Sequence, residues 1–261
     1  MDGRAIFDLS GKVALVTAGG HGLGREYCVA MAQFGADVVL NDIREDLARE
    51  TAELVRQCGR RACVVAGDVS LLDAVNTMVR RALEEFGTID ILFCNAGIMN
   101  DLVPLHELAV ESWNHVVATN LTSTFLCMRA VLPIMLKKRS GSIIVTSSVS
   151  GFRAIATPEV AHCYGATKAG MISLMKHAAV AYAKHGIRVN AIAPGLHDTK
   201  PVGWKLTEED ARRLNDAIIP IIPMGRFAQP CEIKGLAVFL ASEASSYVTG
   251  QVFVSDGGAS A

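Results

Sequence analysis

The run Tyr164-Gly165-Ala166-Thr167-Lys168 sets a phenol and an ammonium four residues apart. On a helix that spacing brings both side chains to one face. A free tyrosine titrates near ~10, too high for a good base at neutral pH. An adjacent ammonium stabilises phenolate and draws the pKa toward the working pH, where proton transfer is most effective. The spacing therefore predicts Tyr164 as a proton donor and acceptor with a lowered pKa. A packed tyrosine beside a solvated lysine would be spelled the same way, so the neighbours decide. Ser147 and Ser148 close a short β-branched run, Ser142–Thr146, just before this helix. Open α/β sheets bind ligands at strand carboxyl ends, where a serine hydroxyl can meet Tyr164 over a substrate oxygen. In an extended chain the two serines point to opposite faces.

A second cluster lies near the start. Gly19-Gly20-His21-Gly22-Leu23-Gly24 follows the apolar run Val13–Thr17 and opens a helical pattern. Glycines there let backbone amides approach a pyrophosphate, and the helix N-terminus adds partial positive charge. A glycine cluster by itself is also a plain turn; its place between strand and helix favours the dinucleotide. Asp42 ends the next strand, 18 residues beyond Gly24. A carboxylate there accepts hydrogen bonds from an adenosine ribose and repels a 2′-phosphate. It can equally cap the following helix. His21 and Arg44 are cations close enough to attract a 2′-phosphate, but Asp42 sets the expectation at NAD rather than NADP.

Strands and helices must hold these groups. Val13–Thr17, Asp37–Asn41, Ala62–Ala66, Ile89–Cys94, Ser142–Thr146, Ile187–Ile192 and Gln251–Val254 are largely apolar, as parallel strands covered on both faces are. Helical stretches lie between them at Arg25–Phe34, Glu45–Cys58, Leu72–Phe86, Ser123–Lys138 and Tyr164–Lys184. In the last, Met171, Leu174, Met175 and Ala178 form one apolar stripe, suited to a core or to a neighbouring copy. The alternation predicts a single-domain α/β fold over 1–261, a Rossmann-type doubly wound parallel sheet of about seven strands with helices on both faces. Leu196–Gln229 breaks the rhythm with Pro201, Pro220 and Pro223 around an amphipathic segment, Leu206–Ile218. It reads as a lid over the site.

Composition narrows the function. Of 261 residues, 51% are hydrophobic and 20% charged, enough for a large core. A net charge of −1 gives no basis for nucleic-acid or acidic-membrane binding. The pairs Arg60-Arg61 and Lys137-Lys138 (with Arg139) sit where helices should end and complement their dipoles. Cys28, Cys58, Cys63, Cys94, Cys127, Cys163 and Cys231 show neither metal spacing nor a disulfide pattern, so no metal is expected and most should be apolar fillers. No signal-like start or run of ~18 apolar residues is visible, which predicts a cytoplasmic protein.

Together the motifs resemble the classical short-chain dehydrogenase/reductase family, over almost the whole chain. The matching pieces are Thr17–Gly24, Asp68-Val69, Asn95-Ala96-Gly97, Asn120, Ser148, Tyr164 with Lys168, Pro194-Gly195, Tyr247–Gln251 and Asp256-Gly257-Gly258. The resemblance implies Tyr164 as the acid/base and Ser148, followed by Val149 as in the family, as the hydrogen-bond donor to the substrate oxygen. It implies Lys168 on the nicotinamide ribose, lowering the pKa of Tyr164, and Asn120 anchoring a water in a proton relay. Gly19, His21, Gly22, Leu23 and Gly24 would cradle the pyrophosphate. Asp42 with Ile43, and Asp68 with Val69, would serve the adenosine end. Asn95, Ala96 and Gly97 would lie along the ribose region, and Pro194, Gly195 and Thr199 by the nicotinamide and its phosphate. It also implies a homotetramer packed through the helices after Asn120 and around Tyr164.

Two departures matter. Ala18 stands where the family has glycine, which harms cofactor affinity if its φ is positive. The Ser148–Tyr164 interval is long, inserting 153–163 beside the substrate. Met99, Ile155, Pro158, His162, Leu196, His197 and Trp204 are candidates to line the pocket, with Glu159 and Lys200 as its few charges. The two histidines are either substrate ligands or satisfied loop residues. This predicts hydride transfer between NAD and a hydrophobic, possibly cyclic, secondary alcohol or ketone. The alternatives are an NADPH-dependent ketoreductase of 3-oxoacyl thioesters and a non-catalytic dinucleotide-binding protein.

Overall fold

Each apolar run becomes a strand: β1 Val13–Val16, β2 Asp37–Asp42, β3 Ala62–Ala66, β4 Ile91–Cys94, β5 Gly141–Thr146, β6 Ile187–Pro194 and β7 Val252–Ser255. The structure is a computed structural model that describes residues 3, 5–99, 103–154, 162–199, 216 and 219–261. The strands form one parallel sheet in the order β3-β2-β1-β4-β5-β6-β7. Strand order reverses between β1 and β4, so the connections diverge there and open a crevice at the carboxyl ends. The helices are α1 Gly22–Gln33, α2 Glu45–Gln57, α3 Leu72–Phe86, α4 Val110–Val117, α5 Ser123–Lys138, α6 His162–Tyr182 and α7 Lys234–Ala241.

The pleat sends alternate side chains to two cores. Leu15 joins Val39, Ile143, Val145, Met135, Met171 and Met175 on the face covered by α3, α5 and α6. Ala14 and Val16 join Tyr27, Met31, Phe93 and Leu240 under α1 and α7. Each fully buried large side chain contributes about 1.5–3 kcal/mol, which holds the strand ends, and the site upon them, in place. Met171 and Met175 are wholly buried and belong to the core, whereas Leu174 of the same stripe is only partly buried.

Some boundaries differ from expectation for local reasons. β4 begins at Ile91 because Asp90 turns aside: its carboxylate accepts from the Val13 amide at 2.9 Å and pairs with Lys138. Lys138 also donates to the Ile89 carbonyl at 2.8 Å, so it ties α5 to β4 as well as ending the helix. Arg60 and Arg61 both pair with Asp37. Helix α4 runs through a π-helical turn, Ala118–Thr122, into α5. By length and mean hydropathy alone the continuous helix Val110–Lys138 would suffice to cross a membrane, although it holds no unbroken run of ~18 apolar residues. Leu126, Cys127, Met128, Val131 and Met135 of this helix pack onto the sheet instead.

Of the proposed lid, 200–215 and 217–218 lie outside the described residues, and Pro201, Lys200, Trp204 and almost all of Leu206–Ile218 with them. So do Ile155, Pro158 and Glu159. The two stems of the excursion are joined: the Ala228 amide donates to the Leu196 carbonyl at 3.1 Å and the Asp198 amide to the Ala228 carbonyl at 2.9 Å.

Candidate active site

Helix α6 brings Tyr164 and Lys168 to the carboxyl end of β5. The Lys168 ammonium lies 5.4 Å from the centre of the Tyr164 ring and donates to the Thr146 carbonyl at 2.8 Å. The Ser148 hydroxyl faces the Tyr164 phenol and acts to lower its pKa. Ser148 Oγ also accepts from the Ser150 amide at 3.1 Å. Ser147 points the other way and donates to the Lys168 carbonyl at 2.9 Å, buried. One serine faces the phenol; the other braces the helix that carries the lysine.

Burial governs the titration of this pair. It pushes the Tyr164 phenol above its ordinary value, with the Ser148 hydroxyl opposing. It pulls Lys168 from 10.5 down to about 8. The expected lowering of the phenol is therefore reversed in sign, because desolvation penalises phenolate. Lys168 nonetheless stays largely protonated at pH 7.

Asn120 sits in the π-helical turn, fully buried. Its Oδ1 accepts from the Ile98 amide at 2.8 Å, and its Nδ2 donates to the Ile98 carbonyl at 2.9 Å and Thr167 Oγ1 at 3.0 Å. The side chain thus clamps β4's exit to α6 beside the catalytic pair. Gly97 lies against both: a Cβ there would meet Lys168 Nζ at 3.1 Å and Asn120 Oδ1 at 3.4 Å.

The glycine loop is held from three sides. Asn95 donates from Nδ2 to the Thr17 and Ala18 carbonyls at 3.1 and 3.2 Å. Thr17 Oγ1 accepts from the Asn95 and Ala96 amides. Asp42 Oδ2 accepts from the Gly20 amide at 2.9 Å, and the Gly20 carbonyl accepts from Arg25 and Thr51. Gly24 is obligatory, since a Cβ would stand 1.9 Å from the Ala18 carbonyl oxygen. No side chain caps α1 at His21, so its first-turn amides at Gly22 and Leu23 suit a pyrophosphate. Gly22 also receives Thr199, whose Cβ would lie 3.3 Å from an added Cβ.

At the adenosine end, Asp42 Oδ1 accepts from the Arg44 amide at 2.9 Å, close to the capping role foreseen as its alternative. Ile43 is largely exposed beside it. Asp68 accepts from the Ser70 amide at 2.9 Å, and Val69 is buried. Pro194 ends β6, and Gly195 pairs with the Ser255 carbonyl of β7. Gly19 donates to the Asn41 carbonyl at 2.8 Å, so the loop starts directly on β2.

Residues 17–260 match the family model described as enoyl-(acyl carrier protein) reductase. The chain belongs to the short-chain dehydrogenase/reductase family. It is 40% identical to cis-4-hydroxycyclohexanecarboxylate dehydrogenase of Sinomonas cyclohexanicum over 247 residues, 95% of this chain and 96% of that one. It is also 40% identical to galactitol 2-dehydrogenase of Agrobacterium fabrum over 262 residues, 96% and 98% of the two chains. A short-chain type dehydrogenase/reductase from Mycobacterium marinum superposes with a TM-score of 0.91 at 36% identity, covering 98% of each chain. The chain is thus a short-chain oxidoreductase with the Rossmann-like sheet of that family, whose members bind NAD or NADP.

Against the family's glycine, Ala18 of this short-chain dehydrogenase/reductase adopts φ +49°. A side chain in that left-handed region costs about 1 kcal/mol. Ala18→Gly is expected to raise stability by up to about 1 kcal/mol, read from denaturant unfolding; a destabilised variant would refute the strain.

The residues that brace the loop and lysine went unread in the sequence. Arg25, Thr51 and the Thr146 carbonyl carry no motif, and only their hydrogen bonds reveal them. Of the histidines, His197 lies with Nδ1 3.2 Å from the Gly195 carbonyl, and burial pushes its pKa down. Nδ1 is thus held by the loop, while Nε2 is buried with no hydrogen-bond partner among the described residues, so the ring is not fully satisfied by the loop. His162 opens α6 half-buried. Cys163 donates toward the Trp113 carbonyl and burial pushes its thiol up, which argues against a nucleophile.

Proposed function

We propose that the chain transfers a hydride between NAD and a hydrophobic, ring-bearing secondary alcohol or its ketone, with Tyr164 as general acid/base. The observation that carries this is the Lys168 ammonium 5.4 Å from the centre of the Tyr164 ring, with Ser148 facing the phenol, at the crevice that also holds the glycine loop. Bound NAD supplies the hydride acceptor, and its reduced form the donor. Ser148 holds the substrate oxygen against the phenol. Tyr164, kept protonated by burial, delivers its proton to the oxygen of a ketone. In the oxidising direction it takes the alcohol proton, and the Lys168 ammonium steadies the phenolate that forms. Asn120 keeps α6 and the β4 exit in register.

The substrate class rests on what the strand ends leave exposed. Met99 follows β4, Phe152 follows the β5 turn and Leu196 follows β6, and all three are at least about one-third exposed. Apolar side chains uncovered around a reactive centre favour an apolar ligand. The cyclohexane ring in one relative's name accords with that; the sugar alcohol in the other's does not. For the cofactor, Asp42 at the end of β2 supports NAD, and Arg44 beside it is what favours the NADPH ketoreductase reading.

Titrating the protein with NADH and NADPH by nicotinamide fluorescence, then screening cyclic and linear secondary alcohols by absorbance, tests this reading. NADH is expected to bind at least about tenfold tighter, a difference of ~1.4 kcal/mol, and cyclic alcohols to turn over fastest. Preference for NADPH, or turnover confined to polyols or thioesters, would overturn it. The same reading makes the protein a cytoplasmic homotetramer. Packing between copies would use Leu121, Phe125 and Leu174, which line an outward hollow of about 500 Å³ on α5 and α6; light scattering reads the copy number directly.

A further inference from the structure

The corner that receives the adenosine ribose holds two cations and a histidine, and both guanidiniums are committed. Arg25 donates to the Gly20 carbonyl at 3.0 Å, to Thr51 at 3.1 Å and to Glu50 at 3.0 Å. Arg44 lies two residues past Asp42, and its backbone amide is bound to the Asp42 carboxylate. Its side chain turns along α2 into a two-point pair with Asp46, Nε to Oδ1 at 3.0 Å and Nη2 to Oδ2 at 2.7 Å. Asp46 lies in the first turn of α2, where the helix dipole favours its charge. The other acid of that turn, Glu45, is taken by Arg49, so Asp46 alone holds Arg44 among the described residues. His21 is pushed toward neutrality by burial and by Arg25, against Asp42.

A phosphate on the ribose 2′-oxygen would bring two negative charges toward the Asp42 carboxylate. It would need a forked cation to offset them, and a guanidinium is the side chain shaped for that. We infer that Asp46 is a specificity-determining residue: by holding Arg44 in a bidentate pair along α2, it withholds the guanidinium next to Asp42 that a 2′-phosphate would recruit. Selectivity for the unphosphorylated dinucleotide is then divided between Asp42, which repels, and Asp46, which sequesters. The inference rests on the reading that Asp42 marks the ribose end of the cofactor site.

The pair is half exposed on both sides, 50% for Arg44 and 60% for Asp46. An exposed ion pair of this kind shifts an equilibrium by about two- to fivefold, and that sets the expected effect. Both side chains lie on the surface, so their variants keep the fold. The experiment is a cycle of Asp46→Ala, Arg44→Ala and the double variant, with NADPH and NADH dissociation constants read by fluorescence at low salt. Asp46→Ala is expected to tighten NADPH two- to fivefold with NADH unchanged, and to lose that gain when Arg44→Ala is added. Equal tightening with and without Arg44 would mean that Asp46 acts only by its own charge, and the latch falls. No tightening, or equal tightening of NADH, also overturns it. If the unaltered protein binds neither dinucleotide, the site reading itself fails, a result separable from every other outcome.

Discussion

Tyr164→Phe is expected to lower turnover by about 10²–10⁴-fold in both directions while NADH titrates as it does with the unaltered chain. The variant keeps the ring, its volume and its place on α6; only the hydroxyl is lost. The cofactor cradle is built elsewhere, from the Gly20 peptide held by Asp42, Arg25 and Thr51 and from the Asn95 brace on Thr17 and Ala18. Binding and chemistry therefore separate cleanly. Steady-state rates with the best alcohol of the screen, paired with NADH titration, read both. Turnover within about tenfold of the original would remove Tyr164 from the acid/base role. Complete absence of turnover in the unaltered chain, with NADH still bound, would instead favour a non-catalytic dinucleotide protein.

What could be read from the residues was whatever depends on local pattern. β3, α3 and α5 match their expected bounds because apolar periodicity and flanking turn residues agree there. Helix α4 was missed: Val110–Val117 contains Trp, Asn, His and three Val, all weak helix formers. Helix α7 was missed because Lys234–Ala241 is apolar nearly all round and shows no stripe. The Tyr164–Lys168 pair was legible as spacing, and Asn120 came from the family resemblance. Ser148 was preferred to Ser147 because Val149 follows it as in the family, while strand alternation set the two serines on opposite faces. The direction of the Tyr164 shift was not legible. Desolvation is the sum of everything packed around the phenol, and no residue pair spells it. Ala18 is a similar case: the departure from glycine was visible, but the positive φ that gives it meaning belongs to the folded loop. The bracing set of Arg25, Thr51, Asn95 and the Thr146 carbonyl joins elements distant in the chain, which hydrogen-bond accounting finds and periodicity does not.

Lys168→Met is expected to abolish most turnover and yet to stabilise the protein. The Lys168 side chain is almost entirely buried, and burial lowers its pKa from 10.5 to about 8. That difference corresponds to a cost of about 3 kcal/mol for keeping the ammonium inside. Methionine fills similar space without charge; it forfeits the hydrogen bond to the Thr146 carbonyl, worth about 1 kcal/mol, leaving a net gain of about 2 kcal/mol at pH 7. The sign with pH follows from where the two pKa values lie. Between about 8 in the folded chain and 10.5 in the unfolded chain, the unfolded state carries the extra proton, so the stability contributed at Lys168 rises with pH. Below about 8 both states are charged and the full cost is present; it fades as pH climbs through that window. The advantage of Lys168→Met should therefore be largest at pH 7 and narrow by pH 10, as read from denaturant unfolding of both proteins at each pH. A variant less stable at pH 7, or a gap indifferent to pH, would show that the ammonium is better compensated than its burial implies. A charge that strains the fold this much, beside a phenol at the mouth of a dinucleotide crevice, is accounted for by chemistry and not by architecture.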